Sequence, residues 1–275
     1  MIYLLITTSI NNNYIQLDKL IEVYSNALTP KKNETITQNN HVFFSNGKRR
    51  RNPAIQIRFG NVHNIISSIE PNPKPLTPES VDKKQLRELN DTDRVIEYKE
   101  NIKNNISYLS DNIKPIIIEN NGKRQTFLDE FGIDVHYTEN NKESFKHKGI
   151  NELMDIKSAI SAYNIQDDDI VIKITGRYKL IDSSFFQTVI EHMESHDAFI
   201  KFFNVFTEEF MENDCVLGLF AIRCKYLKDF EYDPHLEVPE TQFAEYIRKS
   251  ECRLFEMKRL GLSCKFSDTY KKLDV

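Results

Sequence analysis

The sequence predicts a three-layer α/β sandwich built around a mostly parallel sheet, on three observations. The first ten residues, "MIYLLITTSI", form a continuous apolar run closing in Thr7, Thr8 and Ser9. That is the pattern of a strand covered on both faces. From Asp91 onward, strand and helix patterns alternate, as they do when helices connect parallel strands. Third, the stretch "DDDIVIKITGRYKLID", Asp167 to Asp182, runs three acids into a core strand that carries one lysine and stops on Gly176-Arg177-Tyr178.

Taken in order, the first strand is followed by a helical segment, residues 14–28. Residues from about 29 to 89 then break the rhythm with "TPKKNETITQNN", "GKRRRNP" and "EPNPKPLTPES". Prolines this dense predict an insertion, with strands of its own near 41–45 and 54–59. The "KRRR" run reads most simply as a solvated loop. In "DTDRVIEYKENIKNNISYL", Val95, Tyr98, Ile102, Ile106 and Leu109 share an arc of roughly 80°, which predicts an amphipathic helix capped by Asp91 or Thr92. "IKPIIIENNG" is a short strand ending at Glu119, and "IDVHYTENN" a third ending in Glu139-Asn140-Asn141. "KESFKHKGINELMDIKSAISAY" is a basic loop entering a helix whose Ile150, Leu153, Ile156, Ile160 and Tyr163 share a face about 140° wide. The lysine-bearing strand, Ile170 to Ile174, comes next. In the last third, "HDAFIKFFNVF" reads as a strand, and "DCVLGLFAIRCKYLKDF" as a strand running into a short helix. "VPETQFAEYIRKS" is a helix with Pro239 in its first turn.

Composition narrows the function. The chain has 275 residues, 40% apolar, with a net charge of −4. It can bury the core of one large domain without a staple, and it offers no global attraction to nucleic acid or to an anionic membrane. Cys215, Cys224, Cys252 and Cys264 form no CxxC pair and no zinc spacing, which fits reduced thiols in a cytoplasmic compartment. The opening apolar run is too short to span a bilayer and lacks the flanks of a signal peptide, so no transmembrane segment is expected.

In open α/β sheets the ligand sits beyond the carboxyl ends of the strands. That rule gathers Thr7, Thr8 and Ser9, Glu119, Asn120 and Asn121, Glu139 to Asn141, and Gly176, Arg177 and Tyr178 into one place. Carboxylate and amide groups can bond a nucleobase and ribose, and arginine and lysine can neutralise phosphate. Lys148 and Gly149 open a helix, where free backbone N–H groups favour an anion. A nucleotide bearing a diphosphate suits the mixture. Plainer readings stand beside these: Lys173 snorkelling from an edge strand, Glu152 pairing with a nearby lysine, and Arg94 with Tyr98 as a packing pair beneath the site.

"FKHKGINELMDIKSAI" followed by "DDDIVIKITGRYKL", with "IIIENNG" and "VHYTENN" upstream, resembles glycosyltransferases of giant DNA viruses and of bacterial surface-polysaccharide clusters. These carry a nucleotide-diphospho-sugar transferase (GT-A) type of fold. The resemblance is best from Arg94 to Ile181 and fails over 29–89. It implies one GT-A-like domain over residues 1–275, a nucleotide-diphospho-sugar donor, and a glycan or protein acceptor. It also implies a place in glycan biosynthesis in the cytoplasm, the host's if the protein is viral. Nucleic acid is not an expected partner, and oligomeric state is not implied. Donor-side residues carried over are Thr7, Thr8, Ser9, Arg94, Glu119, Asn120, Asn121, Lys148, Gly149, Glu152, Lys173, Gly176 and Tyr178.

Most GT-A enzymes place Asp-x-Asp, which holds a divalent ion, where this chain has Gly176-Arg177-Tyr178. A guanidinium can bond two phosphate oxygens and supply the charge a metal would bring. No metal or other cofactor is therefore expected, with Arg177, helped by Lys148 or Lys173, stabilising the departing diphosphate. Glu240 shares the buried face of its helix with Phe243, Ala244 and Ile247, and Glu245 lies about 140° away, toward solvent. A carboxylate in a first helical turn is held ionised by the dipole and suits a general base. Related inverting enzymes use an acid near this point. Two alternatives remain: a sugar nucleotidyltransferase, although "TTSINNNY" lacks the glycine-rich loop that chemistry uses, and a non-catalytic binding or structural protein on the same fold.

Overall fold

The computed structural model describes residues 1–10, 83–143, 145, 147–236, 238–265 and 272–275, with backbone only over 83–93. The helix expected at 14–28 lies outside the described residues. So does the expected insertion from 29 as far as 82, with its two strands and basic run. The chain divides into two compact units, Met1–Asn12 with Glu88–Val275, and Asn13–Arg87. Among the described residues, all the strands lie in the first.

The elements in chain order are β1 (Ile2–Thr8), α1 (Lys83–Ile106), β2 (Ile113–Glu119), β3 (Val135–Tyr137), α2 (Lys148–Ala162), β4 (Ile170–Thr175) and β5 (Lys179–Leu180). After these come α3 (Ser184–His192), β6 (Ala198–Ile200), β7 (Leu219–Arg223), α4 (Cys224–Asp229), α5 (Pro239–Lys249), β8 (Leu254–Glu256), β9 (Leu262–Lys265) and β10 (Lys272–Asp274). Among the described residues, seven strands form the main sheet in the order β3-β2-β1-β4-β7-β6-β8, and β10-β9-β5 make a small second sheet. Every pairing in the main sheet is parallel except those of β7, which runs against β4 and β6. The expected mixed α/β architecture with a mostly parallel sheet is the one observed.

Burial explains why these runs are strands. Tyr3 and Leu5 of β1 share a core with Leu153, Ile156, Ala159 and Ile160 of α2 and with Phe243, Ala244 and Ile247 of α5. Ile2, Leu4 and Ile6 point to the opposite face and are equally buried. A strand sandwiched in this way must be apolar at every position, so it shows no alternation.

The registers align the strand ends. Thr8 pairs with Glu119, Glu119 with Tyr137, and Thr7 with Thr175. Because β7 reverses direction between β4 and β6, segment 201–218, which joins β6 to β7, lies at this same carboxyl edge. The strand order turns at β1 and β4: the chain moves out from β1 to β2 and β3, then crosses back to β4 on the other side. That switch point is where an open sheet parts to admit a ligand.

Three expectations need correcting. Helix α1 begins at Lys83, so Asp91 and Thr92 are interior residues and not its cap. "KKQLRELN" is rich in strong helix formers, which carry the helix upstream of its apolar stripe. Strand β3 ends at Tyr137, and Asn140–Lys142 is a 3-10 turn. Lys173 is not near an edge: β4 is a central strand with β1 and β7 as neighbours.

Candidate functional site at the carboxyl edge of the sheet

The lysine in the core strand has a partner. Lys173 is 1% exposed, and its ammonium meets Glu152 of α2 at 2.9 Å. It also donates to Thr175 Oγ1 at 2.9 Å and to the Leu217 carbonyl at 2.7 Å. Thr7 Oγ1 donates to Glu152 Oε1 at 2.5 Å. A buried ammonium must be paired and its protons accepted. Here all three are, and the same atoms tie together β1, β4, α2 and the segment leading to β7. Lys173 is therefore committed to protein partners and is not a free phosphate contact.

The end of β2 is closed in a similar way. Glu119 is fully buried. It accepts from Thr8 Oγ1 at 2.7 Å, from the backbone N–H groups of Ile10 and Asn121, and pairs with Arg124 at 3.3 Å. Arg124 also donates to the carbonyls of Ile10, Asn121 and Gly122. The expectation that Glu119 meets a nucleoside is corrected on this geometry: its carboxylate is spent on fixing the turns after β1 and β2. Asn120 faces inward too, donating to Asp155 of α2, which also accepts from Thr138 and Asn140. Burial pushes the Asp155 carboxyl up, against the pull of those hydrogen bonds. Nearer the surface, Lys148 Nζ donates to Asn141, Asn141 to Asn121, and Asn121 to Ser9 Oγ at 3.2 Å. Gly149 has a packing role. A Cβ there would stand 2.6 Å from Pro239 Cγ, so the glycine lets α2 and α5 touch at their first turns.

The Gly176-Arg177-Tyr178 turn is splinted by α1. Asn101, Asn104 and Asn105 donate to the carbonyls of Arg177, Leu180 and Tyr178, respectively. A Cβ at Gly176 would lie 3.1 Å from both the Thr7 carbonyl and Tyr98 Cε1, so a side chain there would have to push its neighbours back by a few tenths of an ångström. Tyr178 lies over Gly218, where a Cβ would come within 2.4 Å of the ring; burial pushes its phenol up to about 12. Two cations border this turn. The Arg177 guanidinium is half-buried, 5.9 Å from the Tyr178 ring centroid, and has no hydrogen bond or ion pair among the described residues. Arg94 stands 5.9 Å from the Tyr98 ring with its Nε buried and unpartnered among the described residues, while Tyr98 Oη accepts the Ser9 N–H at 3.2 Å.

Glu240 sits in the first turn of α5, above the buried face of Phe243, Ala244 and Ile247. Its carboxyl is raised, chiefly by burial and further by Asp214 and Glu152, with Lys173 pulling the other way. Burial thus works against the ionisation expected at a helix N-terminus, while the Glu240 backbone N–H favours it. A raised carboxyl that forms no salt bridge among the described residues is a stronger base once ionised. Cys215 Sγ donates to the Glu240 carbonyl at 3.3 Å, anchoring segment 201–218 beside it. Glu245 faces solvent, as expected, and pairs there with Lys249. Between α2, α5 and β4 lies a cavity of about 20 Å³, lined by Gly149, Glu152, Lys173, Leu217 and Tyr232, room for about one water. Among the described residues, no three His, Cys, Asp or Glu side chains gather to hold a metal, and no helix is long and apolar enough to cross a membrane.

The structure thus brings Thr7, Glu152, Lys173, Gly176, Arg177, Tyr178 and Glu240 to one edge, and turns Glu119 and Asn120 inward. Sequence reasoning missed the Asn101, Asn104 and Asn105 ladder, whose i, i+3, i+4 spacing was its one available signal, along with Arg124, Asp155 and Tyr232.

No protein-family model and no curated protein matches the chain. Among solved structures it is similar to A197 from STIV, with 12% identity over 54% of this chain and 82% of that one, at a TM-score of 0.34. It is also similar to a protein described as a nucleotide-diphospho-sugar transferase from Desulfovibrio desulfuricans G20, with 11% identity over 59% of this chain and 66% of that one, at a TM-score of 0.37. A third is the bifunctional IspDF from Campylobacter jejuni, with 13% identity over 60% of this chain and 42% of that one, at a TM-score of 0.38. Likeness at this level assigns no activity.

Proposed function

We propose that this protein is a glycosyltransferase that moves a sugar from a nucleotide-diphospho-sugar to a hydroxyl of a glycan or protein, with inversion and without a divalent metal. One observation carries the reading: at the switch point of the sheet an uncommitted guanidinium, Arg177, and a burial-raised carboxyl, Glu240, occupy the same edge. Lys173 and Glu152, at the same edge, pair with each other.

In this mechanism the donor diphosphate lies against Arg177, whose planar fork donates to two phosphate oxygens. Ser9, Asn121 and Lys148 offer polar contacts toward the nucleoside, and Arg94 offers a second cation on the α1 side. Glu240 takes the proton of the acceptor hydroxyl as that oxygen bonds to the anomeric carbon. The bond from that carbon to the diphosphate oxygen breaks on the opposite face, and its electron pair leaves with the diphosphate. Charge develops on the leaving group as the bond breaks, so a cation fixed there lowers the barrier.

The test is binding and turnover across UDP, GDP and TDP, their monophosphates and the corresponding sugars. Charge-assisted hydrogen bonds contribute roughly 1.5–3 kcal/mol, so Arg177→Ala should cost about one to two orders of magnitude with diphosphates, Arg177→Lys less. Monophosphates should be little affected, and excess EDTA should leave binding intact. Equal losses for mono- and diphosphates, or activity that vanishes with EDTA and returns with Mn²⁺, would refute the clamp.

A further inference from the structure

The carboxyl edge carries an exposed apolar patch that the proposed chemistry does not use. Segment 201–218 projects from the β6–β7 connection with Phe206 82% and Phe210 66% exposed. The loop entering α5 adds exposed Leu236 and Val238. Both segments are anchored at the first turn of α5. Cys215 is bonded to Glu240, and Asp233 exchanges two hydrogen bonds with Gln242. Inside segment 201–218, Asn204 donates to Asp214 and accepts from the backbone N–H groups of Phe206 and Thr207, so the projection is braced from within. Large apolar side chains held out in water in this way mark a surface that is covered in use.

The stretch of chain that carries the two phenylalanines is acidic. Between Lys201 and Arg223 the chain has no lysine or arginine but has Glu208, Glu209, Glu212 and Asp214. From Asp229 to Ile247 it again has none; Asp233 is exposed there, and Glu231 meets Lys157 of α2 at 3.9 Å. The cations of the site, Arg94, Lys148 and Arg177, belong to other elements. Complementary charge selects partners and rejects wrong ones. An anionic glycan is repelled by this rim, and a neutral sugar leaves it uncompensated. Lysine and arginine fit both features, with cationic heads for the acids and aliphatic stems, or cation–π contact, for the phenylalanines.

We propose that Phe206 and Phe210, with their acidic rim, dock a lysine- or arginine-rich polypeptide segment, which presents a hydroxyl to Glu240. This rests on the transferase reading for its chemistry, but the docking itself needs no donor. The test is fluorescence anisotropy with a labelled peptide of repeated Lys-Ser-Phe, its Glu-Ser-Phe counterpart, and chito-oligosaccharide as competitor.

The basic peptide should bind and the acidic one should not. Phe206→Ser with Phe210→Ser should weaken binding about tenfold or more. Glu208→Gln with Glu209→Gln and Glu212→Gln should weaken it and flatten its dependence on salt. Asp167→Asn with Asp168→Asn, at the opposite edge of the sheet, should change nothing. Arg177→Ala should leave peptide binding intact, which separates failure here from failure of the diphosphate clamp. Equal binding of both peptides, equal loss with the Asp167 and Asp168 pair, or displacement by the neutral sugar alone would overturn the proposal.

Discussion

Replacing Lys173 by methionine keeps an unbranched stem of similar length and deletes the ammonium. Three acceptors lose their donor: Glu152, Thr175 Oγ1 and the Leu217 carbonyl. Removing one partner of a buried pair costs about 3–5 kcal/mol when the other is left dry. Glu152 is not wholly dry, with its side chain 28% exposed, and it keeps the hydroxyl of Thr7, so part of that cost is recovered by water. The stranded Leu217 carbonyl adds to it. A net loss of about 3 kcal/mol results, which for a domain of this size lowers the thermal midpoint by roughly 6–12 °C. Scanning fluorimetry and urea titration without ligand measure it. Adding Glu152→Gln should recover part of the loss, because both charges are then gone. Since Lys173 pulls the Glu240 carboxyl down, the acid limb of the rate profile should also move to higher pH in the Lys173 variant. Stability within about 0.5 kcal/mol of wild type, or a double variant as unstable as the sum of the singles, would show that the pair does not knot these elements together.

Two further substitutions separate chemistry from scaffold. Glu240→Gln should lower turnover by about two orders of magnitude or more, as loss of a general base does. The raised carboxyl is a group whose folded value lies above its unfolded one. Its stabilising contribution is complete below the unfolded value and is lost as pH rises through the folded one, so Glu240→Gln should gain stability over wild type as pH rises toward 8 in parallel melts. Gly149→Ala drives a Cβ against the Pro239 ring, which cannot swing aside. It should cost about 1–3 kcal/mol with nucleotide affinity little changed; lost affinity at full stability would mean instead that Gly149 is a point of ligand approach.

What was legible in the sequence was what local pattern encodes. Apolar runs, unbroken in β1 and interrupted by one lysine each in β2 and β4, gave those strands, and helical spacing gave α2, α5 and most of α1, because burial on one face or both leaves a trace in the sequence. The carboxyl-edge rule then gathered Thr7 to Ser9, Glu119 to Asn121 and Gly176 to Tyr178 correctly at one edge of the sheet. Pattern could not say which way a polar side chain turns once there. Glu119 and Arg177 stand at or just past the ends of core strands with equal prominence, yet one is enclosed by Thr8, Ile10, Asn121 and Arg124 and the other has no hydrogen bond or ion pair among the described residues, only the Tyr178 ring beside it. For Glu119 that enclosure is closed by Thr8 and Ile10, groups brought from more than a hundred residues away. The same holds for Lys173, which pattern placed near an edge and tertiary structure seated at the centre of the sheet against Glu152. A charge can be buried only where the fold supplies its counter-charge, and that counter-charge leaves no mark on the strand that needs it.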